Sequence, residues 1–105
     1  MANICDNDFL ISFEDENLGE LISNKLKKLF EDELFGEITY EDEGVIEGYF
    51  ESKWSFPLNI FENFFDEFSN DSIYMRCLST EYGCGYIAMN IYRDQIWEQE
   101  QTFNL

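Results

Sequence analysis

Acidic side chains are so frequent in this chain that any core must be assembled from the apolar residues between them. Of 105 residues, 23 are Asp or Glu and 6 are Lys or Arg, which gives a formal net charge of −17. Hydrophobic residues nevertheless make up 45% of the chain and aromatic residues 18%, more than acidic disordered proteins contain. We therefore expect one folded domain, residues 1–105, with a hydrophobic core and a strongly negative surface.

The negative charge restricts the classes of partner. Binding to DNA or RNA begins with Lys and Arg neutralising phosphates, and a chain of this charge would be repelled by them. The same repulsion argues against anionic membranes. The sequence therefore predicts a positively charged protein as the partner, with no direct nucleic-acid or membrane binding. Acidity that serves only solubility is the alternative.

The cysteines and the N-terminus predict a reduced cytoplasmic protein. Cys5, Cys77 and Cys84 are odd in number and lack CxxC spacing, and the chain has no His, which argues against a zinc site. Cys77 and Cys84 flank a turn and could pair across a hairpin, but buried thiols are favoured in a reducing cell. The first residues contain neither a basic region nor a long apolar run, so we expect no signal peptide or membrane span.

Hydrophobic periodicity predicts an α+β fold. Apolar residues at helical spacing indicate helices at 17–35 and 56–69. We expect Gly36 to end the first helix, Ser55 to cap the second and Pro57 to lie just inside it. Alternating or β-prone segments indicate strands at 9–13, 37–40, 45–52, 73–79, 86–92 and 96–100. The order β-α-β-β-α-β, extended by one or two strands at the C-terminal end, predicts two helices on one face of an antiparallel sheet.

The same patterns predict which side chains form the core. The Phe residues of the second helix recur at helical spacing, which favours a core stripe over a binding groove. Trp54 is either an exposed anchor or a plug over the second helix, and we favour the plug. The expected core residues are Leu21, Ile22, Leu29, Phe50, Phe61, Phe65, Leu78 and Ile87.

Three segments resemble a known family. They are MANICDN at 1–7, SKWSFP at 52–57 and MRCLSTEYG at 75–83. Together they resemble the small YubB-like domains of phages, plasmids and other mobile elements, although the family often has Trp where Ile4 stands and Pro where Phe56 stands. The resemblance implies a ferredoxin-like fold and a mobile-element setting. It carries over no catalytic residue.

Carboxylates alone do not indicate catalysis or metal binding in this chain. Some hydrolases operate with two carboxylates, but with 23 acids every pair is uninformative, and a small domain has little room for a deep cleft. No acidic run matches the D-x-[DN]-x-[DN]-G calcium loop with its distal Glu. We therefore predict no enzyme, no catalytic residue, no metal and no cofactor.

One acidic pattern suggests mimicry of nucleic acid. Strand residues two apart are separated by about 6.5–7 Å on one face, close to the spacing of successive phosphates on one strand. Such pairs occur at Glu41/Glu43 and Glu98/Glu100, and Glu47/Glu51 continue the spacing at twice the interval. A solvated acidic face without a partner is the alternative interpretation.

The hypothesis from sequence is therefore a phage- or plasmid-encoded inhibitor, of the anti-CRISPR or anti-restriction type. It would block a basic nucleic-acid-binding groove of a host defence protein. The predicted partner-binding residues are Glu41, Asp42, Glu43, Glu47 and Glu51. The competing hypothesis is a non-enzymatic interaction domain whose acidity serves solubility only.

Overall fold

Helices and strands alternate along the first part of the chain, and a run of strands ends it. A computed structural model describes residues 3–68, 72–83 and 85–102. Within these ranges the elements are β1 (Ile4–Phe13), α1 (Leu18–Asp32), β2 (Phe35–Asp42), β3 (Val45–Lys53), α2 (Leu58–Asp66), β4 (Ile73–Glu81), β5 (Tyr86–Arg93) and β6 (Ile96–Thr102).

The strands form one open sheet in the order β2-β3-β1-β4-β5-β6. Every pair of neighbouring strands is antiparallel. β1 lies near the centre, so that Asn7 stands opposite Phe50 of β3 on one side and Ser79 of β4 on the other. The α+β class and the antiparallel sheet predicted from the sequence are confirmed.

Aromatic contacts place both helices on the same face of the sheet. The ring of Phe30 in α1 has its centroid 6.1 Å from that of Phe9 and 6.1 Å from that of Phe50. The ring of Phe61 in α2 lies 5.3 Å from that of Phe50. Since Phe9 and Phe50 project from the central strands, this face carries the main core.

The C-terminal hairpin is attached to the same core through α2. The ring of Phe65 stacks on that of Tyr92 in β5, with centroids 4.5 Å apart and an interplanar angle of 7°. Trp97 of β6 lies 5.1 Å from Tyr92 and 5.5 Å from Phe56. β5 and β6 are therefore an integral part of the domain.

Both helices are shorter than the sequence predicted. α1 ends at Asp32, because the chain turns with the Leu34 amide donating to the Leu29 carbonyl and then enters β2. Gly36, expected to end the helix, instead lies in β2. A Cβ there would approach the Phe50 Cβ to 2.6 Å, so this glycine permits β2 to pack closely on β3.

The second helix also begins later than predicted. Pro57 occupies the N-cap position, one residue before the helix, and no side chain caps it. Ser55 instead accepts a hydrogen bond at its carbonyl from the Ser52 hydroxyl at 2.7 Å. Neither helix in the described part of the chain is long and apolar enough to cross a membrane.

Most of the predicted core residues are confirmed as part of the core, and three are not. Ile22, Phe50, Phe61 and Phe65 are buried, and Leu29 packs partly buried against them. Leu21 and Leu78 are 51% and 38% exposed, and Ile87 is half-buried. In β4 the inward positions belong to Cys77 and Ser79, and the strict alternation of a strand turns Leu78 to the other face.

The tryptophan that packs against α2 is Trp97 and not Trp54. Trp54 is 51% exposed and adopts a left-handed backbone with φ of 71°, so its predicted role as a plug over α2 is wrong. Trp97, predicted only as part of a strand, packs against Phe56, Phe65 and Tyr92 instead. The strand alternation that aims Trp97 inward is clear only once β5 and β6 are paired.

Candidate protein-binding surface

The sheet has one face that the helices do not cover. Because strand side chains alternate, the residues between the core positions project from this face, which we call the open face. Within the described ranges no element packs over it. Its side chains include Glu37, Tyr40, Glu47, Tyr49, Glu51, Asp6, Asp8, Leu10, Arg76, Leu78, Ile87, Met89, Ile91, Glu98 and Glu100.

Carboxylates stand directly opposite one another on this face. Asp6 of β1 pairs in register with Glu51 of β3, a position in which Cβ atoms are about 4.5–5.5 Å apart and like charges destabilise the sheet. Asp8 follows Asp6 two residues along the same face. Among the described residues Asp6, Asp8 and Glu51 take part in no ion pair, although Lys53 and Arg76 lie on the same face.

A tyrosine extends this acidic region toward the edge strand. Tyr49 stands opposite Asp8 on one side and Glu37 on the other, and its hydroxyl donates to Glu37 Oε2 at 2.9 Å. The hydrogen bond to the Glu37 carboxylate raises the pKa of the Tyr49 phenol above its usual value. The phenol donates this hydrogen bond in its ordinary protonated form and holds the Glu37 side chain on the open face.

A β-bulge separates the sequence-predicted site residues. The pairing of β2 with β3 shifts register between Ile38 and Tyr40, so Thr39 is an extra residue and the face of each later residue is reversed. Glu41 consequently stands opposite the buried Ile46, on the helix side, where it accepts a hydrogen bond from Ser23 of α1. Asp42 stands opposite Val45 and lies on the open face.

The remaining predicted residues are also divided. Glu43 lies in the turn between β2 and β3 with φ of 39°, so it continues no strand row with Glu41. Glu47 and Glu51 share the open face, as predicted. The five residues therefore lie on one hairpin but do not form a single surface.

Glu41, Asp42 and Glu43 border a second feature, an open cleft of about 600 Å³ between α1 and the β2–β3 turn. Glu16 and Glu20 line its other wall together with Lys27. No group of three or more possible metal ligands occurs in the described part of the chain. The cleft is acidic, but its geometry does not indicate a cation site.

Sequence reasoning missed Asp6, Asp8 and Glu37 as members of the surface. β1 begins at Ile4 instead of residue 9, which brings the first two of these onto the sheet. The signal was present in the sequence, because Asp6 and Asp8 alternate with residues that prove buried, Cys5, Asn7 and Phe9.

Buried polar groups beneath β1 have a structural role. Asn7 donates to the Phe50 carbonyl and the Ser52 hydroxyl at 3.2 and 3.0 Å, and accepts from the Ser79 hydroxyl at 2.6 Å. These bonds tie β3, β1 and β4 together on the helix side. Such a satisfied network specifies strand pairing in a core.

The cysteines in the described residues are poor nucleophiles. Cys5 and Cys77 are buried and free, and the predicted buried state of Cys77 is confirmed, while Cys84 lies outside the described residues. Desolvation raises the pKa of Cys5 to about 11 and that of Cys77 to about 12. Both thiols are therefore protonated at neutral pH, and the thiolate is the reactive form.

Comparisons with known proteins identify no relative. No family model matches the chain, and neither the curated proteins nor the solved structures contain a significant match.

Proposed function

We propose that this domain is an acidic inhibitor, encoded by a phage or another mobile element, that acts in the host cytoplasm. Its open face would occupy a basic nucleic-acid-binding groove of a host defence protein, such as a CRISPR effector or a restriction enzyme. The proposal involves no catalysis, metal or cofactor. The partner is a basic protein, and the domain itself binds neither nucleic acid nor membrane.

One observation carries the proposal: Asp6 and Glu51 stand directly opposite each other on a rigid, uncovered sheet. Like charges in this position destabilise a sheet, and Asp8 and Glu47 extend the acidic area on the same face. Successive residues on one face are about 6.5–7 Å apart, near the phosphate spacing of nucleic acid. A rigid backbone also holds these groups in place before a partner arrives, which lowers the ordering cost of binding.

The topology agrees with the fold that the family resemblance implies. The first four strands lie in the order β2-β3-β1-β4 and both helices pack on one face, which supports the proposal of a ferredoxin-like arrangement. We propose that the domain is a divergent YubB-like member with β5 and β6 added at one edge. This supports the mobile-element setting of the proposal.

A second candidate function is an interaction domain whose acidity serves only solubility. It is favoured by the carboxylates that lie away from the open face. Glu31, Asp32 and Glu33 are exposed at the end of α1, and Glu62 is exposed on α2. An acidic surface on both sides of the sheet is what a solubility role would produce.

Two charge-reversal variants with equal net charge distinguish these functions. The first changes Asp6, Asp8, Glu47 and Glu51 to Lys on the open face. The second changes Glu31, Asp32, Glu33 and Glu62 to Lys on the helix side. The measurement is displacement of labelled DNA from purified CRISPR effectors and restriction enzymes.

We expect the wild-type protein to displace DNA from its target, less effectively as salt rises. The open-face variant should lose displacement and the helix-side variant should retain it. A single change such as Glu51→Gln should cost only about 0–1 kcal/mol of binding, because exposed ion pairs act collectively.

Failure of the wild-type protein to displace DNA would favour the solubility role, and equal loss in both charge-reversal variants would contradict the open face as the binding surface. A target that kept its DNA while bound would exclude mimicry. Melting curves show whether each variant folds. If a charge-reversal variant does not fold, variants with Asn in place of Asp and Gln in place of Glu at the same positions replace it in the assay.

A further inference from the structure

We propose that the open face binds a cationic amphipathic α-helix of its partner, seated along an apolar stripe between two acidic borders. The inference rests on the proposed function in that the partner is basic. It goes further by naming the structural element that the face recognises.

The apolar stripe lies in the middle of the open face. Leu78 of β4 pairs with Met89 of β5, and Leu78 is 38% exposed although the core lies on the other side of its strand. In the next row Leu10 and Ile91 flank Arg76 on either side, and the aliphatic stem of an arginine can itself cover apolar surface. These side chains form an apolar strip across β1, β4 and β5, which the charged head of Arg76 interrupts in one row.

Carboxylates border this strip on both sides. In one row the order across the sheet is Asp8, Leu78, Met89, Glu100. In the adjacent row it is Glu47, Leu10, Arg76, Ile91, Glu98. The face is therefore apolar along its centre and acidic along both margins.

The spacing between the margins matches a helix. Four strand spacings separate Glu47 of β3 from Glu98 of β6, or about 19 Å at about 4.8 Å each, and three spacings, or about 14 Å, separate Asp8 of β1 from Glu100 of β6. A helix with its side chains is about 10–12 Å across, and Lys or Arg side chains on its flanks extend beyond that width while their stems stay on apolar surface. An apolar stripe on the helix would contact Leu78 and Met89, and its flanking cations would reach the carboxylates.

The charges on the open face also indicate which kind of partner can bind there. A second copy of this chain would bring its own acidic margins against these, with a net charge of −17 on each molecule, so self-pairing through this face is disfavoured. Arg76 in the centre disfavours a cation there and directs the partner's cations to the margins. Arg93 already lies 3.8 Å from Glu98 in an exposed pair, which a partner cation can replace at little cost.

A pair of synthetic peptides tests the inference. The probe is a helical peptide of about 18 residues with Leu at positions i, i+3, i+4 and i+7 and Lys on both flanks. The control peptide has the same composition in a scrambled order that forms no apolar stripe. Binding is measured by fluorescence anisotropy at about 0.15 M salt.

The protein variants are Leu78→Ser and, as the matched control, Leu21→Ser. Leu21 is the more exposed of the two, at 51%, and lies on α1, away from the open face. We expect Leu78→Ser to weaken binding of the amphipathic peptide by about tenfold or more, because it removes a central apolar contact. Leu21→Ser should change it by less than about twofold, and the scrambled peptide should bind about tenfold more weakly than the probe.

Equal binding of the two peptides, or equal effects of the two variants, would overturn the inference. So would a dimer of the wild-type protein at high salt that Leu78→Ser dissociates in sedimentation, since the face would then belong to a second copy. These failures are separate from those of the proposed function. If the protein displaced DNA but bound both peptides equally, only the helix-binding inference would fail. If it bound the amphipathic peptide selectively but displaced no DNA, only the proposed mimicry of nucleic acid would fail.

Discussion

Phe61 and Phe35 place the same side chain in opposite environments. Phe61 is fully buried, and its ring contacts those of Phe50, Phe56, Phe64 and Phe65. Phe35, at the start of the edge strand, is 73% exposed. The contrast allows the energetic contribution of burial to be measured with one substitution in two places.

Phe61→Ala should lower the free energy of unfolding by about 3–5 kcal/mol, because it removes buried surface and leaves a cavity between the helix and the sheet. Phe35→Ala should change it by no more than about 0.5 kcal/mol. Urea unfolding of the two variants and the wild type provides the comparison. Similar midpoints for both variants would contradict the assigned position of α2.

Leu78 illustrates how residue-level prediction fails in a strand. The segment from Met75 to Ser79 contains three apolar residues near one another, and hydrophobicity alone favours Leu78 as the buried one. The structure buries Met75, Cys77 and Ser79 instead, because strand side chains alternate between the two faces and Leu78 shares its face with Arg76. The two-residue spacing of the apolar Ile73, Met75 and Cys77 carries this signal, which hydrophobicity taken residue by residue does not.

At the level of elements, Gly48 fixes how β2 lies against β3. A Cβ at this position would come within 2.3 Å of the Glu37 carbonyl oxygen and 3.0 Å of the Ile38 Cα. Both are backbone atoms, which cannot move aside as a flexible side chain can. The glycine is therefore required for the close approach of the edge strand.

Gly48→Ala should destabilise the protein by about 1–3 kcal/mol or more, as overpacking does, and should loosen β2 in particular. The matched control is Gly19→Ala in α1, where the nearest atom to the new Cβ is Phe13 Cζ at 3.3 Å. Alanine favours the helix, so we expect that change to be neutral or stabilising by up to about 1 kcal/mol. Urea unfolding and amide exchange of β2 are the measurements, and unaltered exchange in Gly48→Ala would refute the clash.

The order of helices and strands was predictable, whereas the faces of β2 were not. Apolar spacing indicated each element because every one has a buried side that repeats with its own period. The bulge at Thr39 adds one residue to that repeat, and nothing in the local composition marks it. The bulge turns Glu41 away from the open face and toward Ser23, while Glu43 leaves the predicted row because it lies in the turn after β2.

At the level of the whole molecule, crowding of carboxylates opposes folding. The surplus is 23 acids over 6 bases, and the pair Asp6 and Glu51 brings two of the acids into adjacent strand positions. Screening acts over about 10 Å at 0.1 M ionic strength. Salt should therefore relieve the repulsion between exposed carboxylates.

The melting temperature should accordingly rise as NaCl is added from low to moderate ionic strength. The double variant Asp6→Asn, Glu51→Gln should melt higher than the wild type at low salt and gain less from added NaCl. Circular dichroism melts across a salt series provide the test. Insensitivity of the wild-type protein would mean that its charges are better dispersed than their positions indicate.

The contrast between Trp97 and Trp54 makes this molecule its own optical reporter. Trp97 packs partly buried against Phe56, Phe65 and Tyr92, whereas Trp54 is half exposed after the end of β3. Their emission therefore comes from two surroundings, and a dissolved quencher should reach Trp97 less readily than Trp54. With Trp54 replaced by Phe, the remaining fluorescence would follow the docking of the C-terminal hairpin on α2 without any attached dye.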